Sequence, residues 1–279
     1  MKLSVIVVNY NVCVLLRQAL NTIMCACSGI DHEIFVVDNA SADNSASMVS
    51  REFPDVKLIV NRKNMGFSKA NNQALVLAEG EYILLINPDT ITKKDTLQKT
   101  IEFMEKHPVA GGVSVRMINP MGDFLPESKR GLTSQWATFF KLTGLSKMLS
   151  KSRLYDRNHK YWAEEFETAE VDVLSATFML LRKSVIERTG LMDERFFMYG
   201  EDIDLSYRIR QAGFKNYYFP KTYIIHFKEQ STRKYSWSYI RHFYGAMFIF
   251  AGKYLLKMPR LQLKTMGGAV FSPSYEVER

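Results

Sequence analysis

"EYILLINPDT", residues 81–90, decides the fold. Its centre, Tyr82 to Ile86, is an unbroken apolar run with no polar alternation. Runs of this length mark strands covered on both faces, as in parallel sheets. The run stops at Asn87-Pro88-Asp89. Three more such segments precede it: "LSVIVV" (3–8), "EIFVVD" (33–38) and "VKLIVN" (56–61). Helical patterns over Leu15 to Cys27, Asp43 to Phe53 and Ser68 to Ala78 separate them. The order βαβαβαβ predicts an open α/β sheet, mostly parallel and flanked by helices. Each strand ends in polar residues: Asn9-Tyr10-Asn11, Asp38-Asn39, Asn61 and Asn64, then Asn87 and Asp89. In a parallel sheet these ends share one edge, where open α/β folds bind ligands. Asn, Asp and Pro also end strands for turn geometry alone; four such ends on one edge favour a site.

Further along, "AGGVSVRMI" (110–118) reads as a strand and "NPMGD" (119–123) as a turn. Residues 141–160 are rich in Lys, Arg and Ser and read as a basic loop or short helices. Residues 171–190 read as a strand entering a helix that Gly190 ends. "KNYYFP" and "TYIIH" read as two more short strands, and Trp237 to Lys257 as a final helix. The predicted organisation is one α/β domain in two halves (1–110 and 111–235), a helical C-terminal segment (236–264) and a tail (265–279).

The chain has 279 residues, 47% hydrophobic and 24% charged, an ordinary globular composition. Its net charge of +8 points to an anionic partner, and Lys228 to Lys264 holds eight basic residues against the single acid Glu229. Cys13, Cys25 and Cys27 make neither a disulfide framework nor a zinc site and read as reduced core thiols of a cytosolic protein. The apolar run after Lys2 is shorter than the roughly 7–15 residues of a signal peptide. No stretch reaches the 18 or so apolar residues of a membrane span.

The first βα turn, "NYNVC", has no glycine, which argues against a dinucleotide fingerprint, and no P-loop motif is present. A diphosphate at this edge would need its charge met by a divalent ion on carboxylates. Asp89 is the candidate, although Pro-Asp is also a common turn pair with Thr90 and Thr92 as helix caps after it. "FMYGEDIDLSYRIRQAG" (197–213) raises a second question. Ile203, Ser206, Tyr207 and Arg210 have helical spacing, and Gly213 is a natural stop. Glu201, Asp202 and Asp204 then lie in a first turn, where the helix dipole stabilises carboxylates by about 0.3–1 kcal/mol and keeps them acidic.

"SVIVVNYN", "EIFVVDNASAD", "NMGFSKANNQAL", "INPDT" and "FMYGEDIDLSYRIRQAGF", in this order, resemble the family 2 glycosyltransferases of GT-A fold, in particular the bacterial rhamnosyltransferase-like branch. The resemblance covers roughly residues 1–250, and five motifs in series make it specific. It implies an inverting transfer from a nucleotide-diphosphate sugar, with dTDP-rhamnose suggested by the branch, to a glycan or lipid-linked acceptor in surface polysaccharide synthesis. It implies Mg²⁺ or Mn²⁺ as cofactor and no nucleic-acid partner. Carried over by position, Asn9, Tyr10 and Asn11 line the nucleotide and Asp38 holds base or ribose. Asn64, Gly66, Phe67 and Asn71 fall near ribose and diphosphate. Asn87-Pro88-Asp89 stands where the family has its Asp-x-Asp metal motif, so one carboxylate is missing, in the form usual for this branch.

The resemblance assigns Asp202 as the base and Glu201 as its support, leaving Asp204 structural and paired with Arg208. A lone His at a strand end usually packs or hydrogen-bonds; the resemblance makes His226 a metal ligand, 24 positions after Asp202. Lys228, Arg233 and Lys234 are placed on a loop that closes over the diphosphate. The alternatives are a sugar nucleotidyltransferase or a non-catalytic nucleotide-sugar-binding protein. Finally, Phe243 to Gly252 is uncharged and flanked by Arg241, Lys253, Lys257, Arg260 and Lys264. This is either a core helix or one that also meets an anionic membrane surface at the cytoplasmic face.

Overall fold

The computed structural model describes residues 1–130, 139, 142, 143, 165–227, 237–254 and 277–278. The chain alternates β1 (Leu3–Asn9), α1 (Cys13–Ala26), β2 (His32–Asp38), α2 (Ser45–Glu52), β3 (Lys57–Val60), α3 (Phe67–Leu75) and β4 (Tyr82–Ile86). β5 (Thr90–Thr92), α4 (Thr96–Lys106), β6 (Ala110–Ile118) and α5 (Glu127–Arg130) follow. After these come β7 (Ala169–Val171), β8 (Phe178–Arg182), α6 (Lys183–Thr189), α7 (Glu201–Gln211), β9 (Lys215–His226), α8 (Trp237–Tyr254) and β10 (Val277–Glu278). One sheet contains all the strands, in the order β10-β3-β2-β1-β4-β8-β6-β9-β5, with β7 on β9. β3-β2-β1-β4 is parallel, as expected. β8 enters antiparallel between β4 and β6, while β6 and β9 are parallel.

The core explains the unbroken apolar runs. Val5 and Val7 of β1, with Leu84 and Ile86 of β4, pack against Leu16, Leu20 and Ile23 of α1 and Leu97, Ile101 and Met104 of α4. Ile6, Ile83 and Leu85 face the other way, onto Ala70 and Ala74 of α3 and Leu205 and Ile209 of α7. Side chains alternate faces along a strand, so a strand with helices on both faces needs apolar residues at every position. A third cluster joins Phe243, Ala246, Met247 and Phe250 of α8 to Ile203 of α7, Val173 and Phe196.

Pairing holds the polar strand ends level. Asn9 stands opposite Asp38 and Asp38 opposite Val60, with Val7 opposite Ile86.

Four expectations are corrected. "KNYYFP" and "TYIIH" form the single strand β9, not two. The ladder to β6 skips from Phe219 to Tyr223, and Pro220, which lacks an N–H, sits in that irregularity. Thr90 and Thr92 are not helix caps but the ends of β5. The helix α4 went unread, though Leu97, Ile101 and Met104 carry its spacing. Of the three cysteines only Cys27 is a core thiol, with burial pushing it up to about 12; Cys13 is half-buried and Cys25 exposed. The basic stretch 141–160 lies outside the described residues except for 142 and 143.

Candidate active site

The floor of the edge is made where β1 and β2 end. The Asn9 amide donates to Asp38 Oδ2 (3.0 Å) and to Ser41 Oγ (3.1 Å). Asp38 Oδ1 accepts from the Ser41 N–H at 2.9 Å. Asn11 closes the next turn, taking the Ala42 N–H on its Oδ1 at 2.7 Å. Asn11 and Ala40 both adopt positive φ (56° and 68°), so this edge carries backbone strain on either side of Asp38. Tyr10 projects into solvent between these fixed residues. Asn9 Oδ1 is buried and has no hydrogen-bond partner among the described residues.

The next stretch of edge is an amide network that the motifs did not single out. Asn39 donates to Asn64 Oδ1 at 2.9 Å and accepts from Asn61 (3.2 Å) and from the Met65 N–H (2.8 Å). Asn61 and Gln73 exchange two hydrogen bonds behind it, at 2.9 and 2.8 Å. The polar ends of β2 and β3 were the available signal for Asn39 and Asn61; Gln73, inside a helix, gave none. Asn64 Oδ1 also accepts from the Gly66 N–H at 2.9 Å. Gly66 has φ +83°, and a Cβ there would lie 2.7 Å from both the ring and the carbonyl oxygen of Phe197. The Phe67 N–H donates to that same carbonyl at 2.7 Å. The 64–67 turn is thereby locked to the segment that leads into α7. Asn71 is buried within α3 and gives its amide to the Phe67 carbonyl at 2.9 Å, so that donor is already used.

Asp89 and His226 come together because β5 pairs with the end of β9. Thr90 stands opposite His226, and the Phe227 N–H donates to the Asp89 carbonyl at 2.9 Å. This sets Asp89 Oδ1 3.4 Å from His226 Nε2, with both residues buried. Asp89 Oδ1 and His226 Nδ1 have no hydrogen-bond partner among the described residues. Two ligands at right angles on an ion about 2.1 Å from each would stand about 3 Å apart. The pair therefore fits two adjacent positions of a divalent ion, with oxygen and imidazole donors suited to Mn²⁺. No group of three or more His, Cys, Asp or Glu residues with metal-site placement occurs among the described residues, so the remaining positions of such an ion would fall to phosphate oxygens and water. Asn87 is half-buried, and its N–H donates to the Thr177 carbonyl at 3.1 Å.

The three acids of α7 separate into different environments. Asp204 is fully buried and paired with Arg208, Nε to Oδ2 at 2.9 Å. Glu201 is buried with Oε2 lacking a hydrogen-bond partner among the described residues. Asp202 is half-buried; its carboxylate accepts from the N–H of Ile203, at 2.9 Å, and from that of Ala176. Ala176 and Thr177 are consecutive residues, so one short loop binds both the Asp202 carboxylate and the Asn87 N–H. The turn before α7 is strained, with Tyr199 (φ 70°) and Gly200 (φ 94°) both left-handed, a conformation unusual for a tyrosine.

For Glu201 and Asp202 the expected low pKa is corrected. Burial pushes Asp202 up to about 6, against its backbone hydrogen bonds from Ile203, Ala176 and its own N–H. Burial, then the neighbouring charge of Asp202, raises Glu201 well above the usual carboxylate range. Desolvation of a carboxylate shifts it by up to 3–5 pH units, more than the 0.3–1 kcal/mol of the dipole.

α8 roofs this turn. His242 stacks on Phe197 with ring centroids 4.3 Å apart, and Phe243 meets Tyr199 edge-on at 5.7 Å. Lys253, expected at a membrane-facing margin, is instead 8% exposed. It is held there by Asp193 and Asp204, each of which accepts from its ammonium. Lys228, Arg233, Lys234, Lys257, Arg260 and Lys264 lie outside the described residues. No helix among the described residues is long and apolar enough to cross a membrane.

Comparison with known proteins bears on the family and the fold. The model of the family described as "Glycosyl transferase family 2" matches residues 4–190. The N-acetylglucosaminyl-diphospho-decaprenol L-rhamnosyltransferase of Mycobacterium tuberculosis is 26% identical over 233 residues, covering 78% of this chain and 73% of its own. The rhamnosyltransferase WbbL of Escherichia coli K12 is 29% identical over 191 residues, covering 61% of this chain and 64% of its own. The mannosyltransferase PcManGT from Pyrobaculum calidifontis, solved with GDP-Man and Mn²⁺, superimposes with a TM-score of 0.60 at 20% identity. That match covers 90% of this chain and 64% of the solved one, and shows that the fold is GT-A.

Glu201→Gln tests the buried carboxyl. A folded-state pKa raised above the unfolded value means that stability is lost as pH rises from about 4.5 towards the folded value. The amide does not titrate. Chemical denaturation is expected to show Glu201→Gln equal to wild type near pH 4 and more stable at pH 8. Equal stability at both would contradict the burial of Glu201.

Proposed function

This chain belongs to glycosyl transferase family 2, and from that premise we propose an inverting transfer in which Asp202 is the base and Asp89 and His226 face the donor diphosphate. The observation that carries this reading is the short loop at Ala176-Thr177, which gives an N–H to the Asp202 carboxylate and a carbonyl to the Asn87 N–H, so that one segment binds both the acid of α7 and the first residue of the Asn87-Pro88-Asp89 turn. A base within reach of the bond that breaks is what a single displacement needs. The acceptor hydroxyl oxygen bonds to the anomeric carbon as the carbon–oxygen bond to the nucleoside diphosphate breaks. The hydroxyl proton passes to Asp202, and the diphosphate leaves with the electron pair. Attack on the face opposite the leaving group inverts the anomeric centre.

Asn9 and Asp38 form the fixed floor for the nucleoside, Tyr10 covers it, and Asn64 with Gly66 bounds the donor on the α3 side. Asp89 and His226 would hold a divalent ion, Mn²⁺ or Mg²⁺, which when bound neutralises the diphosphate in the ground state and as it leaves. His226 thus takes the place of the carboxylate absent at Asn87. Glu201, held neutral beside Asp202, keeps a second negative charge out of the base's surroundings. The relatives that transfer rhamnose favour dTDP-rhamnose as donor and a lipid-linked glycan as acceptor, in surface polysaccharide synthesis. A nucleotide-sugar donor is the support for putting the reaction on the cytoplasmic side.

A membrane-facing role for α8 keeps support from one observation. Arg241, Tyr244 and Phe248 lie on its solvent side, with Phe248 77% exposed, while the opposite side packs on α7. An aromatic face with a basic residue beside it suits the interface of an anionic bilayer.

Asp202→Asn keeps donor binding and loses transfer by about 10²–10⁴-fold, since only the proton acceptor is gone. The wild-type kcat/KM is expected to fall as pH drops through about 6, where Asp202 takes a proton. Rate measurements across pH 5 to 8 check both; near-normal transfer by Asp202→Asn moves the base to another residue. In vesicle flotation the chain is expected to bind anionic and not neutral liposomes, in a salt-sensitive way, and Tyr244→Ser with Phe248→Ser to release it. Absence of binding at low salt removes the membrane from the account.

A further inference from the structure

We propose that Lys253, in the last turn of α8, is a positioning residue that ties the C-terminal helix to the acid-bearing turn of α7 and so sets where Asp202 stands. The proposal deepens the reading above and rests on Asp202 as the base. The Lys253 ammonium donates to Asp193 Oδ2 at 2.8 Å and to Asp204 Oδ1 at 2.5 Å. The next residue repeats the tie, with the Tyr254 hydroxyl donating to Asp204 Oδ1 at 2.7 Å. Asp204 also binds Arg208, whose other nitrogens donate to the carbonyls of Thr189, Gly190 and Leu191 at 2.8, 3.1 and 2.9 Å. Asp193 binds Arg195 twice, at 2.9 and 2.6 Å, and these partners hold its carboxyl well below the usual range despite its burial.

Two buried carboxylates, the buried cations Lys253 and Arg208 and the half-buried Arg195 thus form one cluster joining α7, α8 and the segment between α6 and α7. Asp204 lies one turn from Glu201 and two residues from Asp202. It is the fixed point of a turn whose entry, Tyr199-Gly200, is otherwise strained. A strained turn persists only when its surroundings hold it, and Lys253 is the one contributor to this cluster from α8 that carries a charge. Its loss leaves Asp204 with Arg208 and Tyr254, so α7 persists as a helix. It leaves Asp193 with less of its compensation, and α8 held to the turn by Tyr254 and apolar contacts alone. The donor-binding residues Asn9, Asp38 and Asp89 sit on other elements and are untouched.

The test combines steady-state kinetics with hydrogen exchange on the full chain, in Lys253→Met and in Lys253→Met with Asp193→Asn. In Lys253→Met, kcat is expected to fall about tenfold or more through displacement of the base, with donor KM within about twofold. Exchange is expected to quicken in 197–206 and stay unchanged in β1, β2 and β4. The double variant removes the carboxylate that has lost its buried lysine, so its melting temperature returns towards wild type while kcat stays low. Recovery of kcat together with stability would overturn the proposal and make Lys253 a purely structural residue. So would wild-type kcat in Lys253→Met. Because exchange needs no substrate, local loosening at 197–206 supports the tie even if Asp202→Asn retains transfer; unchanged exchange there overturns the tie whatever the base proves to be.

Discussion

Three residues of pairing, Thr90–Thr92 against Ile224–His226, set the geometry on which the site depends. β4 delivers Asn87-Pro88-Asp89 to the carboxyl edge of the parallel strands, and β9 ends at the same place from a distant part of the sequence. The short antiparallel ladder fixes the offset between them. Without it Asp89 would be a turn residue at a strand end and His226 a packing residue, the ordinary fates of both types. With it a carboxylate oxygen and an imidazole nitrogen stand 3.4 Å apart with unmet polar capacity beside them. Buried polar atoms without partners are uncommon, and an unpartnered oxygen on Asp89 beside an unpartnered nitrogen on His226 leaves this pair with donor and acceptor capacity that a ligand could meet.

Burial, not sequence spacing, distributes the work among the acids of α7. All three begin in the same helical turn and feel the same dipole. Asp204 points into a cluster of cations, Glu201 into a space with no donor for Oε2 among the described residues, and Asp202 towards the 176–177 loop. Three carboxylates of one helical turn thus differ in environment, because desolvation outweighs the dipole for Glu201 and Asp202 while Asp204 sits in ion pairs. The same reasoning applies to Lys253. A lysine beyond an apolar helical run looks like a polar margin, yet two buried carboxylates draw it inward.

The fold was largely legible because two-sided burial leaves a strong trace: apolar runs at every position of β1, β2 and β4, interrupted at matching ends. The motif order carried the family. What escaped depends on contacts between distant segments. β5 is too short to show a period, and its threonines resemble caps. β9 was split at Pro220 because a proline ordinarily ends a strand, and only a local skip in its ladder accommodates it. The Asn39–Asn61–Gln73 network and the Lys253 cluster join residues far apart in sequence, for which spacing is no guide. The pKa of Asp202 was misjudged for the same reason, since the groups that bury it come from other elements.

The central claim is that Asp89 and His226, aligned by β5 and β9, take up a divalent ion together with the donor's diphosphate. Calorimetric titration of a nucleoside diphosphate into the wild type and into Asp89→Ala, each with and without Mn²⁺, tests it most directly. The account predicts that Mn²⁺ tightens binding to the wild type by about tenfold or more, roughly 1.4 kcal/mol. It predicts that this gain vanishes in Asp89→Ala while the far-ultraviolet circular dichroism is unchanged. An unchanged metal dependence in Asp89→Ala would contradict it.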